Sequence, residues 1–542
     1  MPEMLSATAP FQASSPQGPG LIRWIERRPQ TAFGAFLAVH FAVWTVLPAL
    51  VYANLPLDLI EALVYGREWQ LGYDKLPPLP WWLIEAMHRL FGVDAAYYAT
   101  AQIAVLVAFA AIFALARPLV GATGALVAVL IIDGLHYFQY TAVKFNHDVI
   151  QLPFWALAGF AFHAALKRGR LGSWILLGFA LGAALWAKYF VVVLAVPYAL
   201  FLLFDRQARR AWATPGPYLG LVVALLVAAP HVRWLFQTDF LPFAYASHRA
   251  AAARGWFDHL WHPVAFLGSQ IFFLLPSLAI AAALFWPHDG KKASADLFDQ
   301  RIVTLLAFGP ALTTIALSAV SGRGAVAMWG YPLWLFLGLW LVMAARVNLD
   351  TERLTRIVAT WGAVFAIFVA VFVINYTVLP GIDHRYRAVL FPGDKLGQIL
   401  TQRFHEATCR PPDCAPLRYV IGSMWDGGNL SHYSPDRPRV LIDGLPERTP
   451  WIDLADLREK GAILVWTQGD PNRIPAVFAA VAPGADLGAP FDLPMRRGGG
   501  TIHVGWAVLK PECAALNMDC RTSDNSGIHH PCTCGYRAPI PR

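Results

Sequence analysis

Charge is what this sequence has least of. Asp, Glu, Lys and Arg make up 14% of its 542 residues, against about 25% in an ordinary soluble domain. A water-covered globule is therefore excluded over most of the chain. Cysteine is missing from the whole apolar part, since all six lie between Cys409 and Cys534. No cleavable signal peptide is expected: a polar stretch precedes the first apolar run, which should serve as its own anchor. There is no internal repeat. The region after residue 380 contains neither a glycine-rich nucleotide fingerprint nor a nucleophile elbow.

Apolar surface fills the space that charge leaves. Hydrophobic residues reach 57% and aromatics 13%, enough to anchor many helix ends at two membrane interfaces. Runs long enough to cross a hydrocarbon core fall near 32–54, 97–116, 119–139, 149–166, 173–187, 189–204, 218–236, 264–286, 302–320, 326–345 and 357–379. With the N-terminus inside, Arg23, Arg27, Arg28, Arg117, Lys167, Arg168 and Arg170 share one face. Arg206, Arg209, Arg210, Lys291, Lys292, Arg346, Arg353 and Arg356 fall on the same face, as the positive-inside rule requires. The net charge of +8 thus reads as topology signal facing anionic lipid, with no basic stripe for nucleic acid. The expected organisation is a cytoplasmic segment 1–31, a transmembrane part 32–379 of about eleven helices, and a soluble domain 380–542 outside.

The cysteines agree with that orientation. An even set confined to one soluble region suits disulfides in an oxidising compartment. Cys409 and Cys414 could close a small loop; the pairing of Cys513, Cys520, Cys532 and Cys534 is unreadable. His529, His530, Cys532 and Cys534 fit no strong zinc spacing. β-rich runs at Leu417–Ile421, Val440–Asp443, Ala462–Thr467 and Thr501–Leu509, with helical stretches near 394–407 and 452–459, predict a small α/β layer domain.

The first external loop, 55–96, carries the most chemistry. Asp58 and Glu61 are three apart and share a helix face. Glu68 follows, and Lys75 precedes Pro77 and Pro78, which bend the chain before Trp81 and Trp82, expected in the interface. The second external loop gathers Lys144, Asn146, His147 and Asp148 at the start of the fourth span. Ionisable groups beside hydrocarbon are costly unless paired or functional, although Asp148 could simply cap the helix. Lys188 stands at the outer end of a tight hairpin. Later outer loops add His248, Arg249, Arg254, His259, His262 and Arg323.

Carboxylates and isolated cations on one outer face suit sugar transfer from a lipid phosphate. A general base takes the acceptor's proton and cations hold the departing phosphate. At Asp58–Glu61, Lys75–Leu76–Pro77–Pro78–Leu79, KFNHD at 144–148, Lys188–Tyr189 and MWGYP at 328–332, the chain resembles the GT-C membrane glycosyltransferases. The nearest branch is that of the dolichyl-phosphate-mannose protein mannosyltransferases and bacterial lipid A sugar transferases (families 39 and 83). The resemblance implies an inverting transferase with a polyprenyl-phosphate sugar donor; the Ala, Leu and Arg bias suggests a GC-rich bacterium, which would make its membrane the bacterial inner one. Its acceptor would be lipid A or another glycolipid, an envelope glycan or a protein, on the periplasmic face. Ile60 stands where many members carry an acidic residue, so Asp58 and Glu61 both qualify as base, with Asp148 orienting a substrate. Lys75, Lys188 and Arg323 are the first choices for the donor phosphate, Lys144 and Arg249 the second. No cofactor is demanded; a divalent metal ion bridging carboxylate and phosphate stays open.

Two other classes compete. A transporter or lipid-linked sugar flippase would place ionisable groups near helix midpoints in matched halves, for which Asp133 beside Gly134 gives slight support. A non-catalytic scaffold would leave the outer carboxylates as plain surface.

Overall fold

The computed structural model describes residues 19–285, 296–408 and 415–511, apart from the side chains of 246–249. All six cysteines, and with them the proposed disulfides and the His529–Cys534 cluster, lie outside the described residues.

Seven described helices are long and apolar enough to cross a membrane. They are Pro29–Val51, Asp94–Asp133, His147–Arg168, Gly216–Gln237, Asp258–Phe285, Leu297–Ser321 and Thr351–Val378, joined by the shorter apolar Leu171–Ala187 and Tyr189–Phe204. Every predicted run carries helix, but the expected eleven are not separate rods. The second and third join in one 40-residue element with a break at Gly121, whose φ of 74° is a left-handed value that glycine adopts without steric cost. The tenth is helical only over Leu337–Ala345, preceded by a single tight turn at Ala327–Gly330.

The helices pack as a sequential bundle. Pro29–Val51 lies on Asp94–Asp133, which packs on His147–Arg168, then Leu171–Ala187, then Gly216–Gln237. Large apolar side chains such as Val320, 81% exposed, and Phe204, 75% exposed, cover its outside; this suits hydrocarbon rather than water. Cations gather at one end. Lys167 bonds Asp296 and Asp299, Arg301 bonds Asp205, and Arg346 bonds Gln300. Asp133 is fully buried, yet His40 Nδ1 (3.0 Å), Trp361 Nε1 (2.7 Å) and Gln139 Nε2 (2.9 Å) surround its carboxylate. It brings three helices together, as a polar group buried within a bundle does when its neighbours supply donors.

The opposite end carries two short helices, Leu57–Gly66 and Leu79–Phe91, and a sheet domain. Its strands are β1 (Tyr419–Gly422), β2 (Arg439–Ile442), β3 (Ala462–Trp466), β4 (Asp486–Leu487), β5 (Phe491–Pro494) and β6 (Thr501–Leu509). They run in the order β2-β1-β3-β6-β4, with β1 parallel to β2 and β3, β6 antiparallel to β3, and β5 paired to β6. Alternation sends Val420, Val440, Ile463 and Val465 to one face and Ile421, Leu441 and Leu464 to the other, by the two-residue period of a strand. The first face shares a continuous apolar core with the membrane part. Helix Met424–Tyr433 is the joint: Gly428 sits against Ile60 and Val64 of Leu57–Gly66. Four strands match the predicted runs; β4, β5 and the helices Met424–Tyr433 and Ala476–Val481 carried no clear signal.

Candidate active site

Pro56 ends the extended chain leaving the first span, and Leu57–Gly66 begins directly after it. On that helix Asp58 and Glu61 reach the same cavity, as their spacing requires. Asn146, not Asp148, caps the fourth span: its Oδ1 accepts from Val149 N at 3.1 Å. This leaves Asp148 free to turn toward Lys188, which ends Leu171–Ala187 in extended backbone.

The cavity is about 580 Å³. Asp58, Glu61, Lys75, Asp148 and Lys188 line it together, between apolar walls of Leu76, Trp81, Phe145, Phe190, Val193, Leu317, Met328 and Trp329. Each lysine has a carboxylate: Lys75 Nζ lies 2.5 Å from Glu61 Oε2, and Lys188 Nζ 2.5 Å from Asp148 Oδ1. Asp148 Oδ1 also accepts from Gln151 at 2.9 Å. Lys75 lies over the Tyr245 ring, 5.2 Å from its centre. Burial works against the Lys75 ammonium, but Glu61, Tyr245 and Asp58 outweigh it and hold the group above its ordinary pKa.

Among the described residues Asp58 has no lysine partner of that kind. Burial and the neighbouring Glu61 charge push its carboxyl up to about 7, against the smaller opposing pull of Lys75, Lys144 and Asn146. It also lines a second cavity of about 550 Å³, with Lys144, Asn375, Tyr376, Asp383, Arg385, Tyr386 and Arg387. Asp58 and Leu57 are common to both walls.

The remaining residues singled out in the sequence are elsewhere. Lys144 stands on the second cavity, not the first. Arg323 is exposed just beyond the end of Leu297–Ser321 and is not on either wall. The side chains of His248 and Arg249 lie outside the described residues. His259 and His262 donate through Nδ1 to the carbonyls of Ala319 and Gly322, at 2.7 and 2.8 Å, closing a helix end. Trp81 corrects the interfacial expectation. It is buried, stacked on Tyr65 at 4.3 Å, and forms part of the cavity wall. Tyr189, beside Lys188 in the sequence motif, also lines the cavity, and its hydroxyl lies 2.9 Å from His231 Nε2.

These donors do not fit a divalent cation. Glu61 and Asp148 are each occupied by an ammonium, and among the described residues no three His, Cys, Asp or Glu side chains converge on one point.

A model of the dolichyl-phosphate-mannose-protein mannosyltransferase family matches residues 75–234. The lipid A galacturonosyltransferase RgtD of Rhizobium johnstonii is 28% identical over 38% of this chain and 44% of its own length. The match to RgtD thus spans less than half of that relative. The lipopolysaccharide core galacturonosyltransferase RgtA of the same organism is 23% identical over 90% of this chain and 99% of its own. Among solved structures, ArnT from Cupriavidus metallidurans bound to undecaprenyl phosphate superposes with a TM-score of 0.59 at 14% identity. That superposition covers 88% of this chain and 97% of ArnT. On these matches the chain is a multi-pass membrane protein with the GT-C fold of ArnT, similar along most of its length to a lipopolysaccharide core galacturonosyltransferase.

Proposed function

We propose that the protein transfers a sugar from a polyprenyl phosphate to a hydroxyl of lipid A or lipopolysaccharide core, on the periplasmic face of a bacterial inner membrane. Residues 32–379 supply the membrane catalytic part and 380–542 the periplasmic domain. The relatives act on lipid A and core, and ArnT holds undecaprenyl phosphate. The observation that carries the reading is Asp58: a carboxyl poised near 7, shared by two cavities and facing two lysines across apolar walls.

In this reading the donor lies in the first cavity, its phosphate held by Lys75 and Lys188. The acceptor enters the second, where Lys144, Arg385 and Arg387 suit its anionic groups. Asp58 takes the proton of the acceptor hydroxyl as its oxygen attacks the anomeric carbon from the face opposite the phosphate. The carbon–oxygen bond to phosphate breaks, polyprenyl phosphate departs as an anion, and the anomeric configuration inverts. A positioned base is worth about 10²–10⁴ in rate, and the ammoniums stabilise charge that builds on the leaving oxygens. Glu61 and Asp148 keep the lysines charged and aimed. Asp133, the feature that favoured transport, has its Oδ2 bonded by Trp361 and Gln139 and lies on neither cavity wall.

The test is release of polyprenyl phosphate from short-chain donors by purified protein. Wild type turns over, Asp58→Asn falls by about 10²-fold or more, and Glu61→Gln retains measurable rate. A wild type inert with every donor and acceptor overturns the proposal.

A further inference from the structure

Outside the cavity, the periplasmic domain holds the first external loop through three arginines distant in sequence. Arg437 Nη2 bonds Glu85 Oε2 at 2.5 Å, Arg439 Nη2 bonds Glu68 Oε2 at 2.5 Å, and Arg448 Nε bonds Asp74 Oδ2 at 2.8 Å. Arg67 Nη1 returns the contact, donating to the carbonyls of Arg437 and Pro438.

Only the third contact leads to the chemistry. Asp74 is bonded on both oxygens: Arg448 holds Oδ2, and the Tyr65 hydroxyl donates to Oδ1 at 2.7 Å. Arg448 Nη2 also reaches the Tyr65 hydroxyl at 3.3 Å, and Nη1 is tied to Asp443. Tyr65 stacks on Trp81, which forms part of the cavity wall. Lys75 follows Asp74 directly in the chain and bonds Glu61, one helical turn before Tyr65. Fixing Asp74 therefore fixes the backbone from which Lys75 extends. Fixing Tyr65 fixes the helix that carries Asp58 and Glu61. Arg448 itself is not on the cavity wall.

We infer that Arg448 is a positioning residue: through Asp74 and Tyr65, the periplasmic domain sets the place of the Lys75 ammonium in the donor cavity. This rests on the reading of that cavity as a lipid-phosphate site. A planar guanidinium fits the role because it bonds a carboxylate, a phenol and a second carboxylate in fixed directions, which an ammonium cannot do. A misplacement of about 1 Å in such a shell can cost up to about 10²-fold.

The experiment compares binding of a short-chain polyprenyl monophosphate with binding of the uncharged polyprenol of equal length. It uses the full-length protein in detergent, with folding followed by thermal melting. Wild type prefers the monophosphate. Arg448→Met and Asp74→Asn are expected to cut that preference by about tenfold while leaving polyprenol binding unchanged. Arg448→Lys is expected to restore part of it, and the double variant to be no worse than either single one. Lys460→Gln, on the exposed surface of the same domain, serves as the control and keeps full preference. If Arg448→Met fails to fold, Arg448→Lys and Asp74→Asn decide alone. Full preference in the variants overturns the inference, as does an equal loss for both ligands. A wild type with no preference at all brings down the donor-site reading instead.

Discussion

At the scale of single residues, Asp58 governs how the enzyme should respond to pH. With a carboxyl at about 7, kcat/KM is expected to rise with pH through that value, because only the ionised form accepts a proton. Asp58→Asn should remove this limb along with most of the rate, which a pH profile on a short-chain donor checks directly. Stability runs the other way. The folded pKa lies above the unfolded value of about 3.9, so the contribution of neutral Asp58 is complete below that value. It is lost as pH climbs through about 7. The lysine partners make a second prediction. Since ammoniums occupy Glu61 and Asp148, treatment with a chelator should leave turnover unchanged. A collapse of rate restored by added cation would contradict it.

At the scale of elements, the face shared by Asp58 and Glu61 was legible, because three-residue spacing fixes geometry once a helix is granted. So was the place of Lys188, a cation stranded between two apolar runs. Trp81 was misread because an aromatic beside a membrane span looks the same whether it faces lipid or a neighbouring helix. What decides is Gly66. Its missing side chain lets the helices Leu57–Gly66 and Leu79–Phe91 meet, and a Cβ there would lie 2.3 Å from the Trp81 carbonyl oxygen and 2.9 Å from Glu85 Cβ. Gly66→Ala is therefore expected to destabilise the protein by about 1–3 kcal/mol through overpacking. It should also slow turnover by displacing Trp81; melting temperature and rate on the same sample test both.

At the scale of the whole molecule, the membrane part was readable from hydropathy and charge because each span is a local signal. The clamp between the domains was not. Glu68 and Arg439, or Asp74 and Arg448, are more than 350 positions apart, and nothing in either neighbourhood names the other. The same distance hides how closely the C-terminal domain is joined to the membrane part. Its apolar core is continuous with the outer helices, and Glu85, buried within the loop, takes Arg437 from it. A chain ended at residue 379 would leave Glu68, Asp74 and Glu85 without these partners. The loop that carries Lys75 would then be held less firmly. The shortened protein is expected to insert in the membrane yet bind no polyprenyl monophosphate, which a binding assay on detergent-extracted material would check.

The pairing of each cavity lysine with its own carboxylate also decides what the empty enzyme ignores. Two ammoniums stand against Glu61, Asp148 and an Asp58 that is about half protonated at neutral pH. The chamber therefore offers almost no net attraction to a stray anion. Inorganic phosphate or a nucleotide sugar would have to part Glu61 and Asp148 from the two lysines before it could be held, and it brings no apolar surface to offset that cost. A ligand that also brings a long hydrocarbon chain gains its affinity from leaving water, at about 0.8 kcal/mol per buried methylene. Selectivity for a membrane-borne donor would then need both ends of the ligand at once: a phosphate for the lysines to hold, and a tail whose burial offsets the cost of parting them from their carboxylates.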